Sequence, residues 1–435
     1  MMSNVRHCRI LKNLLGALFS LVSATLQAAP QDIEFAGFAS FVYAKGLDGD
    51  EGTIATPAGD IINEGEYRDF GKLGLRMDAV LVDEIRFAAQ MVAYGNKDYE
   101  PDFDWIYTRF HLTPEVRLDV GKTRVPLYMY SDFIDVSYAY QWLVPPTSVY
   151  GRSFFRTLEG GKISYLTGFG EWSSDLQLFT GKTEESFSAT SMDFTVGVDD
   201  VKGVAWTVDR EWLALRLIYA ELDITLDGFT AVDDLLGGLA LIEAGINVNA
   251  PLLSLPLLDT RILKEDLLLR DDRNQYTGLG VTLRFDPVFI ASEVTQSRFD
   301  DNLATGNKSA GYLMLGTKLP GRWSLSVTCS VSDQEPNAAI VRRVNRMTAP
   351  YMGTPLEPAA QMVRDSVDGA VAQAQDLKTT QYILGARWDF HPAASLKLEY
   401  MQEDDDGVLF DAATFTKDDT SRNPRAYLLG LDLVF

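Results

Sequence analysis

The sequence predicts an all-β fold, a transmembrane antiparallel β-barrel of about sixteen strands. Three observations predict it. Apolar and polar residues alternate in segments of roughly ten residues, as in a strand with one face toward lipid. The connections between these segments switch regularly between very short and long. A short apolar leader precedes them, and no later apolar run reaches the roughly eighteen residues that a helical span needs.

The leader comes first. Residues 1–29 have a basic start (Arg6, Arg9, Lys12), an apolar stretch from Leu14 to Val22, and small residues ending at Ala28 or Ala29. This is the pattern of a secretory signal peptide, and its apolar run is too short to span a bilayer. Cys8 lies among basic residues rather than after small apolar ones, so no lipoprotein anchor is expected. Of the 2 cysteines only Cys329 belongs to the exported chain, which therefore has no internal disulfide. The chain has 39 basic and 61 acidic residues, a net charge of −22, and the leader removes only basic ones. Such an acid excess excludes a nucleic-acid partner, which needs a basic footprint. A mean hydropathy of −0.05 suits both a soluble protein and an alternating one.

The candidate strands follow in order: 32–43, 70–81, 84–94, 103–112, 115–122, 157–168, 172–180, 201–209, 211–222, 275–286, 288–297, 310–319, 322–332, 380–390, 394–402 and 424–435. The last is the clearest. Tyr427, Leu429, Leu431, Leu433 and Phe435 share one parity, which a strand places on one face. That face is wholly apolar with an aromatic at each end, and it resembles the terminal assembly signal of outer-membrane barrels, with Tyr427 and Phe435 as its aromatic residues. The segments 381–391, 211–220, 276–286 and 322–330 repeat the pattern. Short turns (VDE, TP, DRE, DP, PGR, HPA) alternate with long segments (44–69, 123–156, 223–274, 333–379, 403–423), as periplasmic turns alternate with extracellular loops. A soluble sandwich also alternates, but no candidate inward face is apolar, so a soluble core would lack filling. Within the long loops, 231–269 is apolar and helix-permissive, interrupted by Asp233, Asp234 and Glu243. Short helices packed over the barrel mouth are expected there. The loop 333–379 carries Arg342, Arg343 and Arg346 and then a second helical stretch.

Catalytic constellations are scarce. His111 ends the fourth strand and His391 precedes Pro392, and neither has a metal ligand at i+2, i+3 or i+4. Structural roles are expected for both. The acidic run Asp404, Asp405 and Asp406 reads as a solvated loop. No enzyme activity, metal or cofactor is expected. Closing sixteen tilted strands leaves a lumen too wide for side chains to fill, and selectivity then falls to the charges at its narrowest point. On the second to fifth strands the inward parity carries Lys72, Arg76, Asp78, Glu84, Arg86, Arg109, Arg117 and Asp119. Of these, Arg76, Arg86, Arg109 and Arg117 form one positive quarter of the wall.

The stretch GKTRVPLYMYSDFIDVSYAYQWLVPPTSVYG (121–151) follows the fifth strand on the long-loop side. It holds Tyr128, Tyr130, Phe133, Tyr138, Tyr140, Trp142 and Tyr150, two carboxylates (Asp132, Asp135) and three prolines. It has the wrong period for a strand and too many prolines for a helix. Rings of this kind pack on a wall while their polar tips stay wet, and they stack on sugar faces.

In this position the sequence resembles the general bacterial porins, whose third loop folds inward and narrows the channel. Through GKTRVPLYMYSDF and YAYQWLVPP it looks most like a group of proteobacterial porin-like proteins. The resemblance covers the exported chain at barrel level and about thirty residues at motif level. It implies a bacterial outer-membrane barrel over 30–435 with 123–156 as constriction loop, and 223–274 and 333–379 as long extracellular loops. It also implies a water-filled channel passing small hydrophilic solutes and ions, a homotrimer, contact with outer-membrane lipid and lipopolysaccharide, and folding by the barrel-assembly machinery. By that resemblance Asp132 and Asp135 would face Arg76, Arg86, Arg109 and Arg117 across the pore. The loop departs from general porins in being more aromatic and less acidic. A channel specific for sugars or anions, or a barrel enzyme acting through His111, are the other readings.

Overall fold

The computed structural model describes residues 32–47, 54–56, 59–61, 65–151, 156–189, 192–227, 230–263, 270–299, 307–335, 338–375, 377–411, 416–419 and 423–435. The expected signal peptide lies outside the described residues.

Sixteen long strands make one closed wall. In chain order they are β1 (Asp32–Gly46), β2 (Lys72–Val82), β3 (Ile85–Tyr94), β4 (Pro101–His111), β5 (Val116–Arg124), β6 (Thr157–Phe169), β7 (Trp172–Ala189) and β8 (Met192–Arg210). Then come β9 (Leu213–Asp227), β10 (Asp272–Phe285), β11 (Val288–Phe299), β12 (Asn307–Leu319), β13 (Trp323–Glu335), β14 (Leu377–His391), β15 (Ala394–Asp411) and β16 (Arg425–Val434). Successive strands pair antiparallel, and β1 closes the ring by pairing with both β16 and β2. A short strand, Thr416–Asp419, folds back only on β15. Each strand coincides with one that alternation predicts.

Alternation works because one face of every strand meets lipid. Leu73 and Leu75 of β2 are 51% and 49% exposed, and Leu384, Leu398 and Leu429 stand outward in the same way. At the short-turn end, rings stack on this outer face: Trp323 on Trp388 at 5.4 Å, and Trp212 on Phe285 at 5.7 Å. Such an aromatic girdle belongs at a membrane–water boundary. The C-terminal Phe435 exchanges two backbone hydrogen bonds with Gly37, which fixes β16 against β1.

Two expectations change. Several strands outrun their predicted ends at the long-loop end; β7 reaches Ala189 and β8 begins at Met192, where outward residues turn polar but backbone pairing continues. The inward face is also not uniformly polar. Ala291, Ala310, Tyr312, Met314, Ile383, Met401, Ala426 and Leu428 form a buried apolar lining from β11 to β16. Val196, Val198, Ile218, Ala220 and Leu222 form a second one on β8 and β9. Apolar residues are stable there because the segment after β5 covers them.

The long connections after β9 and β13 build a helical cap with its own core, as short helices were expected to do. Helix α1 (Thr230–Asn249) contributes Leu239 and Ile246, α2 (Ala338–Thr348) contributes Ile340 and Val344, and α3 (Glu357–Gln375) contributes Val363 and Val367. Tyr351 is sealed between them and donates its hydroxyl to the Pro256 carbonyl at 2.7 Å. By length and composition Asp233–Leu253 is apolar enough for a membrane span; its Leu239, Ile246 and Ala250 pack in this cap, while Leu241, Val248 and Leu252 stay exposed.

Where inward rings cross the wall, the facing strand carries glycine. A Cβ at Gly316 would lie 2.1 Å from the Phe289 ring opposite it. Gly316→Val is therefore expected to expel that ring and destabilise the barrel by about 1–3 kcal/mol, read as earlier loss of the compact, fast-migrating band on heating. The control Gly237→Ala, which nothing approaches within 4 Å, should not lower the transition.

Candidate functional site: the lumen segment between β5 and β6

After Arg124 the chain leaves the wall and crosses the barrel interior. Pro126, Pro145 and Pro146 forbid a regular helix or strand, and the segment is built from single turns: Ser131–Phe133, Ser137–Ala139 and the helical turn Thr147–Tyr150. Backbone groups taken inside in this way need partners, and charged side chains of the wall supply them. Lys397 of β15 donates to the carbonyls of Ser137 (2.6 Å), Tyr140 (2.8 Å) and Trp142 (2.8 Å). All three ammonium donors are thereby used. Asp432 of β16, 2.9 Å away, supplies the countercharge and accepts from Ser40 at 2.7 Å. Arg387 of β14 donates to Tyr140 O at 2.8 Å. Glu399 accepts from the Leu143 N–H at 2.7 Å, and Glu293 of β11 from the Met129 N–H at 3.0 Å. The Tyr138 hydroxyl donates to Pro392 O in the turn between β14 and β15, so the segment descends to the short-turn end.

The predicted aromatics hold this path. Trp142 is 1% exposed; its Nε1–H donates to Thr328 at 2.9 Å, and its ring meets Tyr130 and Tyr312 edge-on at 5.6 and 5.3 Å. Tyr128 packs on Tyr150 at 5.2 Å, and Tyr130 meets Phe133 edge-on at 5.5 Å. Tyr140 is buried, and Arg387 lies 4.9 Å over the ring of Tyr138.

The charges are arranged differently from the expectation. Asp135 is 2% exposed and pairs with Arg124, with Arg156 at 3.3 Å, and with the Tyr94 hydroxyl at 2.9 Å. Burial alone would raise its pKa, but Arg124, Arg156, Lys72 and the Tyr94 hydrogen bond outweigh it and hold the carboxyl well below the usual range. Asp132 is 3.5 Å from Arg216 of β9. Arg76 instead pairs with Asp78 at 2.5 Å and Arg109 with Asp119 at 2.7 Å. Arg86 stands opposite Arg109 across β3 and β4, and Arg117 opposite His111 across β4 and β5. Among the described residues the ion pairs of the two loop aspartates thus involve none of the four predicted arginines. Height along the wall explains this. Arg109 is level with Asp119, and Arg124 lies five residues further along β5, about 16 Å at 3.3 Å per residue.

Three members of the cluster escape sequence reasoning: Arg124, Arg156 and Asp104. Arg124 and Arg156 flank the crossing segment, where strand parity ends. Asp104 sits at a bulge, where the register between β3 and β4 slips from Gln90↔Trp105 to Met91↔Phe103. The extra residue turns Asp104 inward, where it binds Arg124 and accepts from Gln90 at 3.1 Å. The only sequence signal is a carboxylate on the lipid parity of DFDWIY. His391 Nδ1 accepts from the Ala393 N–H at 3.1 Å, the structural role expected of it.

Between this segment and the wall from β2 to β8 lies a cavity of about 1100 Å³, bordered by Lys72, Tyr94, Asp104, Asp135, Tyr140 and Arg156 among others. Solved structures share the architecture. The outer-membrane expressed OmpT of Vibrio cholerae matches at 10% identity over 94% of this chain and 100% of its own, with a TM-score of 0.51. Its loop L8 deletion mutant matches at 10% over 93% and 99%, with 0.52. Salmonella typhi OmpF in complex with daunomycin matches at 11% over 93% and 97%, with 0.50. The chain has the fold of a porin-like outer-membrane barrel. At these identities the likeness is one of fold. No family model matches the sequence, and neither does any curated protein. The porin-like barrel's outward apolar face and aromatic girdle fit the bacterial outer membrane.

Removing the Lys397 ammonium leaves Asp432 without its countercharge and deprives the Ser137, Tyr140 and Trp142 carbonyls of a shared donor, only Tyr140 keeping another in Arg387. Lys397→Met is expected to cost about 3–5 kcal/mol and to free the crossing segment. The measurement is protease cleavage within 125–156 of the folded barrel, expected to rise at least tenfold over wild type.

Proposed function

We propose that this chain is a passive outer-membrane porin, a channel through which small hydrophilic solutes and ions diffuse without energy input. The observation that carries the reading is the segment between β5 and β6, folded into a closed barrel and leaving a charged cavity of about 1100 Å³ beside it. Asp135, Arg124, Asp104 and Arg156 form the narrow charged zone in this reading, with Asp132 and Arg216 on the far side. The aromatics from Tyr128 to Trp142 hold the constriction. Arg76, Arg86, Arg109 and Arg117 line the passage nearer the short turns. Fields between opposed charges order water and disfavour apolar solutes. In this reading the chain is a channel rather than an enzyme; His111 stands among Arg86, Arg109 and Arg117, with Asp119 also within electrostatic reach. Assembly as a homotrimer in lipopolysaccharide-bearing membrane belongs to the same reading. Tyr427 and Phe435, 49% and 69% exposed on the outer face, suit a signal for the barrel-assembly machinery.

Planar-bilayer recording tests it. Folded protein should give ohmic conductance steps, in groups of three for a trimer, with weak ion selectivity. Asp132→Asn should shift the reversal potential in a salt gradient toward anions. Folded barrels that insert and give no steps overturn the porin reading, and an unmoved potential removes Asp132 from the passage.

A further inference from the structure

The cavity beside the crossing segment has two sides of opposite character. On its buried side stand Asp135, Asp104 and Arg156, with Lys72 at the start of β2 and Arg124 behind the two aspartates. Arg124 is 6% exposed and is held by both Asp104 and Asp135. Arg156 is different. Its side chain is 32% exposed, and among the described residues its ion pair is the 3.3 Å contact with Asp135, which Arg124 already engages. A guanidinium has five N–H donors, and Arg156 borders the cavity. Lys72 lies within electrostatic reach of Asp135 and Arg156. Among the described residues no carboxylate forms an ion pair with it.

The exposed side is acidic. Glu100, Asp102 and Glu185 border the cavity there, against Lys97. None of the three carboxylates is in an ion pair among the described residues. An anion is repelled at such a rim, and a simple cation that enters it is turned back by Lys72 and Arg156. A solute carrying both charges, carboxylate leading and ammonium trailing, is attracted by both sides and oriented between them. The volume of about 1100 Å³ exceeds the usual span for small ligands, so a hydrated amino acid or short peptide has room.

We propose that this cavity is a capture site for small zwitterions of the amino-acid and short-peptide class, with Lys72 and Arg156 receiving the carboxylate and the acidic rim the ammonium. The proposal deepens the porin reading, but binding can be measured without conductance. Folded, detergent-solubilised barrel is titrated by saturation-transfer NMR with glycylglycine, with N-acetylglycine as the carboxylate-only probe and with glycinamide as the ammonium-only probe. Glycylglycine should bind at least fivefold more tightly than either. Lys72→Gln should bring it down to the level of glycinamide, and Lys72→Arg should retain most of its affinity. The heat-shifted gel band establishes that each variant is folded. Equal binding of the three probes, or a Lys72→Gln barrel that holds glycylglycine as wild type does, overturns the proposal. Selective binding by a barrel that never conducts keeps the site and overturns the porin reading instead.

Discussion

The buried ammonium of Lys397 is the interaction on which the arrangement of the lumen depends. A chain that crosses a barrel brings carbonyls and amides away from the wall's ladder, and each unpaired one carries a desolvation cost. Three such carbonyls, from Ser137, Tyr140 and Trp142, converge on one nitrogen, and Asp432 balances its charge. Charge-assisted hydrogen bonds are about twice as strong as neutral ones. One lysine on β15 therefore does what a length of sheet would do elsewhere. Glu399 and Glu293 serve the amides as Lys397 serves the carbonyls, so the segment is held from both polarities.

That attachment decides where open space remains. The partners of its backbone from Met129 to Leu143 lie on β11 to β16, and the inner wall there is apolar enough to pack against Trp142, Tyr140 and Tyr150. The opposite wall keeps its charges, and the cavity lies on that side. The lumen is thus divided between a dry, aromatic half and a wet, charged half. The rings do two tasks at once: Tyr140 and Tyr150 are fixed by packing, and both also border the cavity.

The barrel was legible because lipid imposes a simple rule, one apolar face per strand, and the sixteen predicted strands follow it. The rule lapses where lipid ends. On β9 the outward positions turn to Glu221, Asp223, Thr225 and Asp227 while the pairing with β8 continues to Asp227, so the predicted end at 222 falls short. The rule also says nothing about the inside. Ile218, Ala220 and Leu222 face inward beside outward Leu217 and Tyr219, a two-sided apolar strand that alternation alone cannot assign to barrel or sandwich.

The charged site was legible in its ingredients but not in its pairing. That the segment 121–151 enters the lumen is what its resemblance to the third loop of general porins implies, and its rings pack as its composition suggests. Which arginine meets Asp135 depends on height, and height depends on where the chain leaves the wall. Leaving at Arg124 puts Asp135 level with the end of β5, out of reach of Arg109 and Arg117. The bulge at Asp104 then adds a carboxylate that strict alternation assigns to lipid. A single inserted residue thus adds a second carboxylate to Arg124, making it the centre of an ion-pair network with Asp135 on the segment and Asp104 on the wall. Arg124 is buried and held from both sides through Nη2, which leaves Arg156 and Lys72 as the cations on the cavity's buried side.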